Sequence, residues 1–114
     1  MRYTVTIKKN RDFRRLYSSG KSAANAYLVL YCRRNKLGIN RIGLTAGTRI
    51  GKAVVRNRVR RLIREAYRLR EDGIRRGYDL VIVARTRAAS ATFWQIDGAL
   101  AALLQKLGLT ETES

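Results

Sequence analysis

Residues 41–85 read RIGLTAGTRIGKAVVRNRVRRLIREAYRLREDGIRRGYDLVIVAR, and their hydrophobic period changes twice. RIGLTA (41–46) has the apolar content of a strand, and GTRIGK (47–52) is a Gly-containing basic loop. From about 53 to 70 apolar residues recur at helical spacing, until the two glycines of EDGIRRG (71–77) break the helix. YDLVIVAR (78–85) is a nearly continuous apolar run, the mark of a buried strand. Strand, helix and strand in that order make one unit, and the rest of the chain is arranged around it.

Upstream, NRDFRRLYSSG (10–20) reads as a short helix. Asn10 can cap it, Asp12 suits the positive end of its dipole, and Gly20 can end it. AYLVLYCR (26–33) is strand-like, with Leu28, Leu30 and Cys32 facing a core and Tyr27, Val29 and Tyr31 facing the other way. RNKLGIN (34–40) is a turn or loop. Downstream, Thr92 and Gln95 have the spacing of a capping box. Ile96, Leu100, Leu103, Leu104 and Leu107 then form one apolar stripe, which Gly108 can close. The expected class is α+β: a single domain over residues 1–109, helices layered on a small sheet as a two-layer sandwich. An acidic tail, 110–114, is expected to be flexible. Residues 1–8 fit either a strand or an arm.

A chain of 114 residues suits one core. Its hydrophobic fraction of 46% argues against wholesale disorder. No apolar run approaches the roughly 18 residues that span a bilayer, and MRYTVTIKKNRDF has no apolar signal-peptide core. The lone Cys32 leaves no internal disulfide. A soluble, cytoplasmic protein is the plain expectation. The charge is less ordinary: 25 basic against 8 acidic residues give +17. Residues 1–64 hold 18 basic residues and one acidic residue, Asp12, whereas residues 65–114 hold seven of each. Such a one-sided excess repels itself, and a polyanion relieves that repulsion. Nucleic acid is favoured over a membrane surface, because the basic helix lacks a broad aromatic-rich face for lipid.

At about 100° per residue, Val55, Val59, Leu62, Ile63, Ala66 and Leu69 fall in one stripe of the 53–70 helix, which would dock on the sheet. Asn57, Arg60, Arg61, Arg64 and Arg68 occupy the opposite face, and Arg56 and Arg58 flank the boundary. Arg60–Arg64 and Arg64–Arg68 are like-charge pairs that cost about 0.2–0.5 kcal/mol each in an isolated helix. Glu65 offsets part of this through Arg61 and Arg68. A solvated face normally mixes signs; this one is nearly all arginine, whose planar fork matches phosphate oxygens and base edges. Asn57 can donate and accept beside them without adding charge. Neutralising six phosphates would give a log–log salt slope of about −5 on duplex.

The stretch RIGLTAGTRIGKAVVRNRVRRLIREAYR closely resembles the signature region of the bacterial ribonuclease P protein subunit. Arg56-Asn57-Arg58 stands at its centre, followed by Arg60-Arg61 and Arg64. The resemblance continues through DF..LY..G (12–20), YLVLYCR (27–33) and DLVIVAR (79–85), covering residues 10–107 in order. It implies a ribosomal-protein-like fold with a left-handed crossover in the 41–85 unit, against the strong right-handed base rate. It also implies that Arg49, Lys52, Arg56, Asn57, Arg58, Arg60, Arg61, Arg64 and Arg68 bind the catalytic RNA. Where the family commonly has Ser-Lys-Lys, this chain has Gly47-Thr48-Arg49, one charge fewer for a loop contact to phosphate.

Phe13 and Tyr17 stand one helical turn apart. Periodicity alone leaves two readings open: core residues that pin the first helix, or a platform on which single-stranded bases stack. The resemblance implies the second, with Phe13, Tyr17 and Tyr31 at the positions lining a cleft for the 5′ leader of precursor tRNA and Arg85 at its rim. The chain has no His, and Asp12, Glu65, Asp79 and Asp97 lack the spacing of a metal or acid–base site. Asp12 and Asp79 read better as a helix-dipole residue and a strand-edge residue. No catalytic residue and no metal ligand is therefore expected in the protein; the resemblance gives hydrolysis to the RNA subunit and its Mg2+. The expected partners are ribonuclease P RNA and precursor tRNA, with no membrane or small-molecule substrate. A ribosomal or other structural RNA-binding protein, and a basic DNA-binding module, are the rivals.

Overall fold

The computed structural model describes residues 1–111. In chain order the strands are β1 (Thr4–Thr6), β2 (Lys21–Ala24), β3 (Leu28–Arg34), β4 (Asn40–Thr45) and β5 (Tyr78–Ala84). The α-helices are α1 (Asn10–Ser19), α2 (Ala53–Arg70) and α3 (Phe93–Lys106). The strands form one mixed sheet in the order β1-β4-β5-β3-β2. β5 is its centre, parallel to β4 from Arg41↔Asp79 to Thr45↔Val83 and antiparallel to β3 from Leu28↔Ala84 to Arg34↔Tyr78. Burial on both faces explains its unbroken apolar run: Leu80, Val81 and Ile82 are wholly inaccessible.

Strand alternation sorts the core into two parts. Leu80 and Ile82 of β5 join Leu28, Leu30, Cys32 and Ile42 against α2 and α3. On the other face Val81 packs with Ile7 and Leu16, and Phe13, Tyr31 and Val83 lie against them. The helices are thus divided, α1 covering one face of the sheet and α2 with α3 the other. This leaves the basic half of the chain wrapped around β4 and β5 from both sides.

The α2 helix has the expected limits, but its buried stripe is rotated at the end. Tyr67 is fully buried in place of Leu69, which is 60% exposed. A tyrosine is tolerated there because its hydroxyl meets Thr4 Oγ1 at 2.8 Å and receives a longer bond from Asn40 Nδ2 at 3.4 Å. At α1 the cap position is Lys9, which makes no side-chain bond, and Asn10 is the first helical residue rather than the cap. The Thr92–Gln95 capping box of α3 forms in both directions, and Gly108 follows with a φ of 70°, a left-handed conformation suited to glycine.

Two strands carry no strong sequence signal. β2 is a short edge strand whose alanines and serine lack β-branching. β1 pairs in parallel with β4 and is held from outside the sheet. The buried Glu71 carboxylate accepts bonds from the Arg2 and Tyr3 amides at 2.7 and 3.0 Å and from the Thr4 hydroxyl at 2.6 Å. Asp79, expected at a strand edge, lies in the central strand; the Arg41 guanidinium beside it on β4 makes that position tolerable for a carboxylate. Thr110 bridges to Ile74, and the Glu111 amide donates to Gly73 O at 2.8 Å, so these two residues of the expected tail are tied down. Residues 112–114 of that tail lie outside the described residues. Among the described residues no helix is long and apolar enough to cross a membrane.

Candidate nucleic-acid interface

The first surface is built by α1 on the sheet. Leu16, 1% exposed, pins the helix, and Phe13 one turn earlier packs its ring against Gly43 of β4. A Cβ at position 43 would come within 2.6 Å of two ring carbons of Phe13, so the absence of a side chain there is what lets the ring down onto the sheet. Tyr17, on the same side of α1, is 43% exposed and meets Tyr31 of β3 edge-on, with ring centroids 4.9 Å apart. Phe13 and Tyr17, with Asn10, Arg14 and Thr45, line an open cleft of about 470 Å³. Neither aromatic is purely a core residue. Phe13 has one side in the core and one in the cleft, while Tyr17 spends much of its surface on solvent.

Arg85 follows the last residue of β5, on the same face as Val81 and Val83 by alternation. It is exposed, and its guanidinium donates to Asn25 O at 2.9 Å. It stands beyond the cleft lining rather than in it. Arg14, which sequence reasoning passed over, does line the cleft. The i, i+3 relation of Asn10 to Phe13 and of Arg14 to Tyr17 was the available signal.

The second surface is the arginine face of α2 with the turn before it. Lys52 occupies the cap position of α2 without capping it, and the preceding 3-10 turn ends with Arg49 in its last positions. A helix N-terminus left with unsatisfied N–H groups and flanked by cations is an anion-seeking arrangement. Lys52, Arg49, Asn57, Arg61, Arg64 and Arg68 are exposed, and Arg56, Arg58 and Arg60 are half-buried. These residues do not behave alike. Arg58 turns inward and donates to Ala89 O and Ala91 O at 3.3 and 2.9 Å, fastening α2 to the approach of α3. Arg56 is partly enclosed, and its Nε is buried without a partner. Arg60 donates to Asn57 Oδ1 at 2.8 Å. Arg68 is paired with Glu65; Arg61 is not.

A smaller cavity of about 140 Å³, lined by Phe13, Arg60 and Arg64 among others, lies between the two surfaces. The aromatic cleft and the arginine face thus share an edge. Among the described residues the acids show no comparable convergence. The two carboxylates that approach each other, Asp12 and Asp79, are both bound by Arg41, at 3.4 Å to Asp12 and through a two-pronged contact to Asp79. Burial pushes the Asp79 carboxyl up, but the bonds from Arg41 and Asn35 outweigh it and hold it below the ordinary aspartate value.

The same architecture recurs in solved structures. The Staphylococcus aureus RNase P protein superposes with a TM-score of 0.86 at 35% identity, covering 92% of this chain and 96% of that one. The Thermotoga maritima RNase P protein gives 0.81 at 30% identity, over 89% and 96%. In sequence, the ribonuclease P protein component of Clostridioides difficile strain 630 is 45% identical over 108 residues, 94% of this chain and 95% of that protein. The corresponding protein of Caldanaerobacter subterraneus is 45% identical over 112 residues, 97% of each. The family model described as Ribonuclease P matches residues 1–108. With fold and sequence in common along almost its whole length, the chain belongs to the ribonuclease P protein family, the RNA-binding component of a tRNA-processing ribonucleoprotein.

Proposed function

We propose that this chain acts in removal of the 5′ leader from precursor tRNA, gripping the catalytic RNA through the α2 arginine face and the single-stranded leader through the aromatic cleft. The observation that carries the proposal is the exposed Tyr17, edge-on to Tyr31, which lines an open cleft with Phe13 and Arg14; Phe13 also lines the smaller cavity that holds Arg60 and Arg64. Stacked bases need exposed ring faces beside positive charge, and a purely structural RNA binder needs no such cleft. Chemistry is assigned to the RNA subunit and its Mg2+. The protein's paired carboxylates do not suit a metal, because Arg41 already occupies the position between Asp12 and Asp79 that a cation would take. The protein's own contribution is to neutralise phosphates that would otherwise repel and to orient the leader, which lowers the metal concentration the RNA needs. Its place of work is the cytoplasm.

Reconstitution with a bacterial ribonuclease P RNA tests this. The protein should stimulate precursor-tRNA cleavage at low Mg2+. Tyr17→Ala should weaken binding of substrate with a leader by about 5- to 160-fold, the equivalent of about 1–3 kcal/mol per stacked base, and leave mature tRNA nearly unaffected. No stimulation at low Mg2+, or equal losses for both tRNAs, would overturn the proposal.

A further inference from the structure

The aromatic cleft and the arginine face stand on different helices, α1 and α2, which cover opposite faces of the sheet. Leu16 and the Asp12–Arg41 pair hold the body of α1, and the segment in front of the helix sets its entry. Ile7 of that segment is buried with Leu16 and Val81, and Phe13 packs against this cluster. The Ile7 amide donates to Ile42 O at 2.8 Å. Only Lys8 and Lys9 separate Ile7 from the first residue of α1. The support under Phe13 therefore depends on how firmly β1 is seated, and β1 is three residues long at the edge of the sheet. A strand that short frays unless it is tied from elsewhere.

The tie comes from α2. Glu71 follows Arg70, the last residue of that helix. One of its carboxylate oxygens accepts from the Arg2 amide at 2.7 Å; the other accepts from the Tyr3 amide at 3.0 Å and the Thr4 hydroxyl at 2.6 Å. The single Thr4 proton is spent on Glu71, so the Tyr67 hydroxyl, one helical turn before Glu71, donates to Thr4 Oγ1 at 2.8 Å. Asn40 Nδ2 donates in turn to Tyr67, at 3.4 Å. A one-way chain of donors thus runs from β4 through α2 and β1 to the carboxylate. The Asn40 amide also donates to Tyr3 O at 2.8 Å, and the Arg76 guanidinium covers the Tyr3 ring at 3.4 Å from its centroid. Glutamine could not replace Glu71 here: whichever way its amide is turned, its NH2 group faces a backbone N–H of Arg2 or Tyr3.

We infer that Glu71 is a positioning residue for the aromatic cleft, holding β1 so that Ile7 supports Phe13 and α1 enters at the angle the cleft needs, an assignment that rests on reading that cleft as the leader site. Glu71 is buried and touches no substrate; it acts through β1. The seating of the cleft is thereby made to depend on the helix that carries the arginine face. Breaking the clamp removes preorganisation rather than charge attraction. Apparent affinity for the leader then falls with the fraction of time the cleft is assembled.

The test is Glu71→Gln in the holoenzyme assembled on a bacterial ribonuclease P RNA. Asp97→Asn is the control: it also removes one negative charge near the end of α2, from the pair with Arg70, and leaves β1 alone. Thr4→Val, which removes one donor and keeps the carboxylate charge, serves if Glu71→Gln fails to fold by circular dichroism. Affinities are measured for precursor tRNA, mature tRNA and the RNA subunit, together with the single-turnover cleavage rate at saturating holoenzyme. With the cleft assembled for about a tenth to a third of the time, precursor tRNA should bind about 3- to 10-fold more weakly. Mature tRNA, the RNA subunit and the saturated cleavage rate should be unchanged, and Asp97→Asn should match wild type throughout. A general loss of folding would move all of these together. Precursor binding as tight as in wild type, or equal losses for precursor and mature tRNA, would overturn the inference. Wild-type holoenzyme that bound the two tRNAs equally would instead remove the leader reading, and the inference with it.

Discussion

Gly43→Ala should be costly out of proportion to a methyl group. The added Cβ would sit 2.6 Å from two ring carbons of Phe13 and 3.4 Å from Val81 Cγ2. Carbon pairs settle near 3.5–4.0 Å, so the ring must retreat by about 1 Å. It has little room, since Ile7, Leu16 and Val81 are packed around it. Overpacking of this kind costs about 1–3 kcal/mol, and relief of glycine's backbone entropy in a strand returns about 0.5–1 kcal/mol. The net loss is about 0.5–2 kcal/mol, a fall in Tm of about 2–10 °C for a domain of this size. Gly98, on the exposed side of α3 with nothing within 4 Å, is the matched control. Gly98→Ala should stabilise by about 0.5–1 kcal/mol. Urea unfolding of Gly43→Ala in wild-type and Phe13→Ala backgrounds isolates the contact, because with the ring gone the added methyl should be neutral or helpful. The holoenzyme carrying Gly43→Ala should also discriminate less between tRNAs with and without a leader. An equal cost of Gly43→Ala in both backgrounds would refute the packing of Phe13 on β4.

Arg58→Ala should lower stability by about 1–3 kcal/mol through loss of its bonds to Ala89 O and Ala91 O, whereas Arg61→Ala should leave the Tm unchanged and weaken RNA binding. Melting curves separate the two, and identical Tm values would count against the inward role of Arg58. Asn57→Ala should weaken RNA binding in the wild type and have little further effect in Arg60→Ala, because the amide oxygen holds Arg60. Additive losses would show that Asn57 touches RNA by itself. At Glu71, burial pushes the carboxyl up, but bonds from the Thr4 hydroxyl and the Arg2 and Tyr3 amides outweigh it and hold it below the ordinary glutamate value. A depressed folded-state value contributes stability that is complete above the unfolded value of about 4.3 and is lost as pH falls through the folded one. Urea unfolding between about pH 7 and pH 3 should therefore show a shallower acid loss for Glu71→Gln than for wild type, and parallel profiles would contradict the clamp.

Residues 41–85 were legible because each element there agrees with its surroundings. An 18-residue amphipathic helix and a doubly covered strand are strong local signals. β1 and β2 were not, since their pairing is decided elsewhere: β2 by the β3 edge, β1 by a Glu71 carboxylate some seventy residues away in sequence. Tyr67 displaced Leu69 for a similar reason, as its hydroxyl is satisfied only by residues of β1 and β4 that no helical wheel contains. At the interface, residue type told which side chains are basic or aromatic, but not which already have partners. Helical spacing put Arg58 at the boundary and offered Glu65 to both Arg61 and Arg68; the fold turns Arg58 inward onto Ala91 O and gives Glu65 to Arg68.

That division bears on why a chain would crowd arginines onto α2 at all. A brush of independent, flexible cations attracts RNA but must order each side chain on binding. Here the order is partly built in. Arg58 is anchored to the loop before α3, and Arg60 is steadied by Asn57 and by a long contact to Ala46 O at 3.5 Å. Asn57 is then placed where a charge would be counterproductive: a third arginine between Arg56 and Arg58 would add repulsion, while an amide supplies the acceptor that fixes Arg60. The guanidiniums left exposed, Arg61 and Arg64, flank that fixed group on one helical face. On the proposed reading, like-charge crowding on the free helix is a cost that bound RNA would relieve, and the internal bonds would reduce how much side-chain freedom is lost on binding.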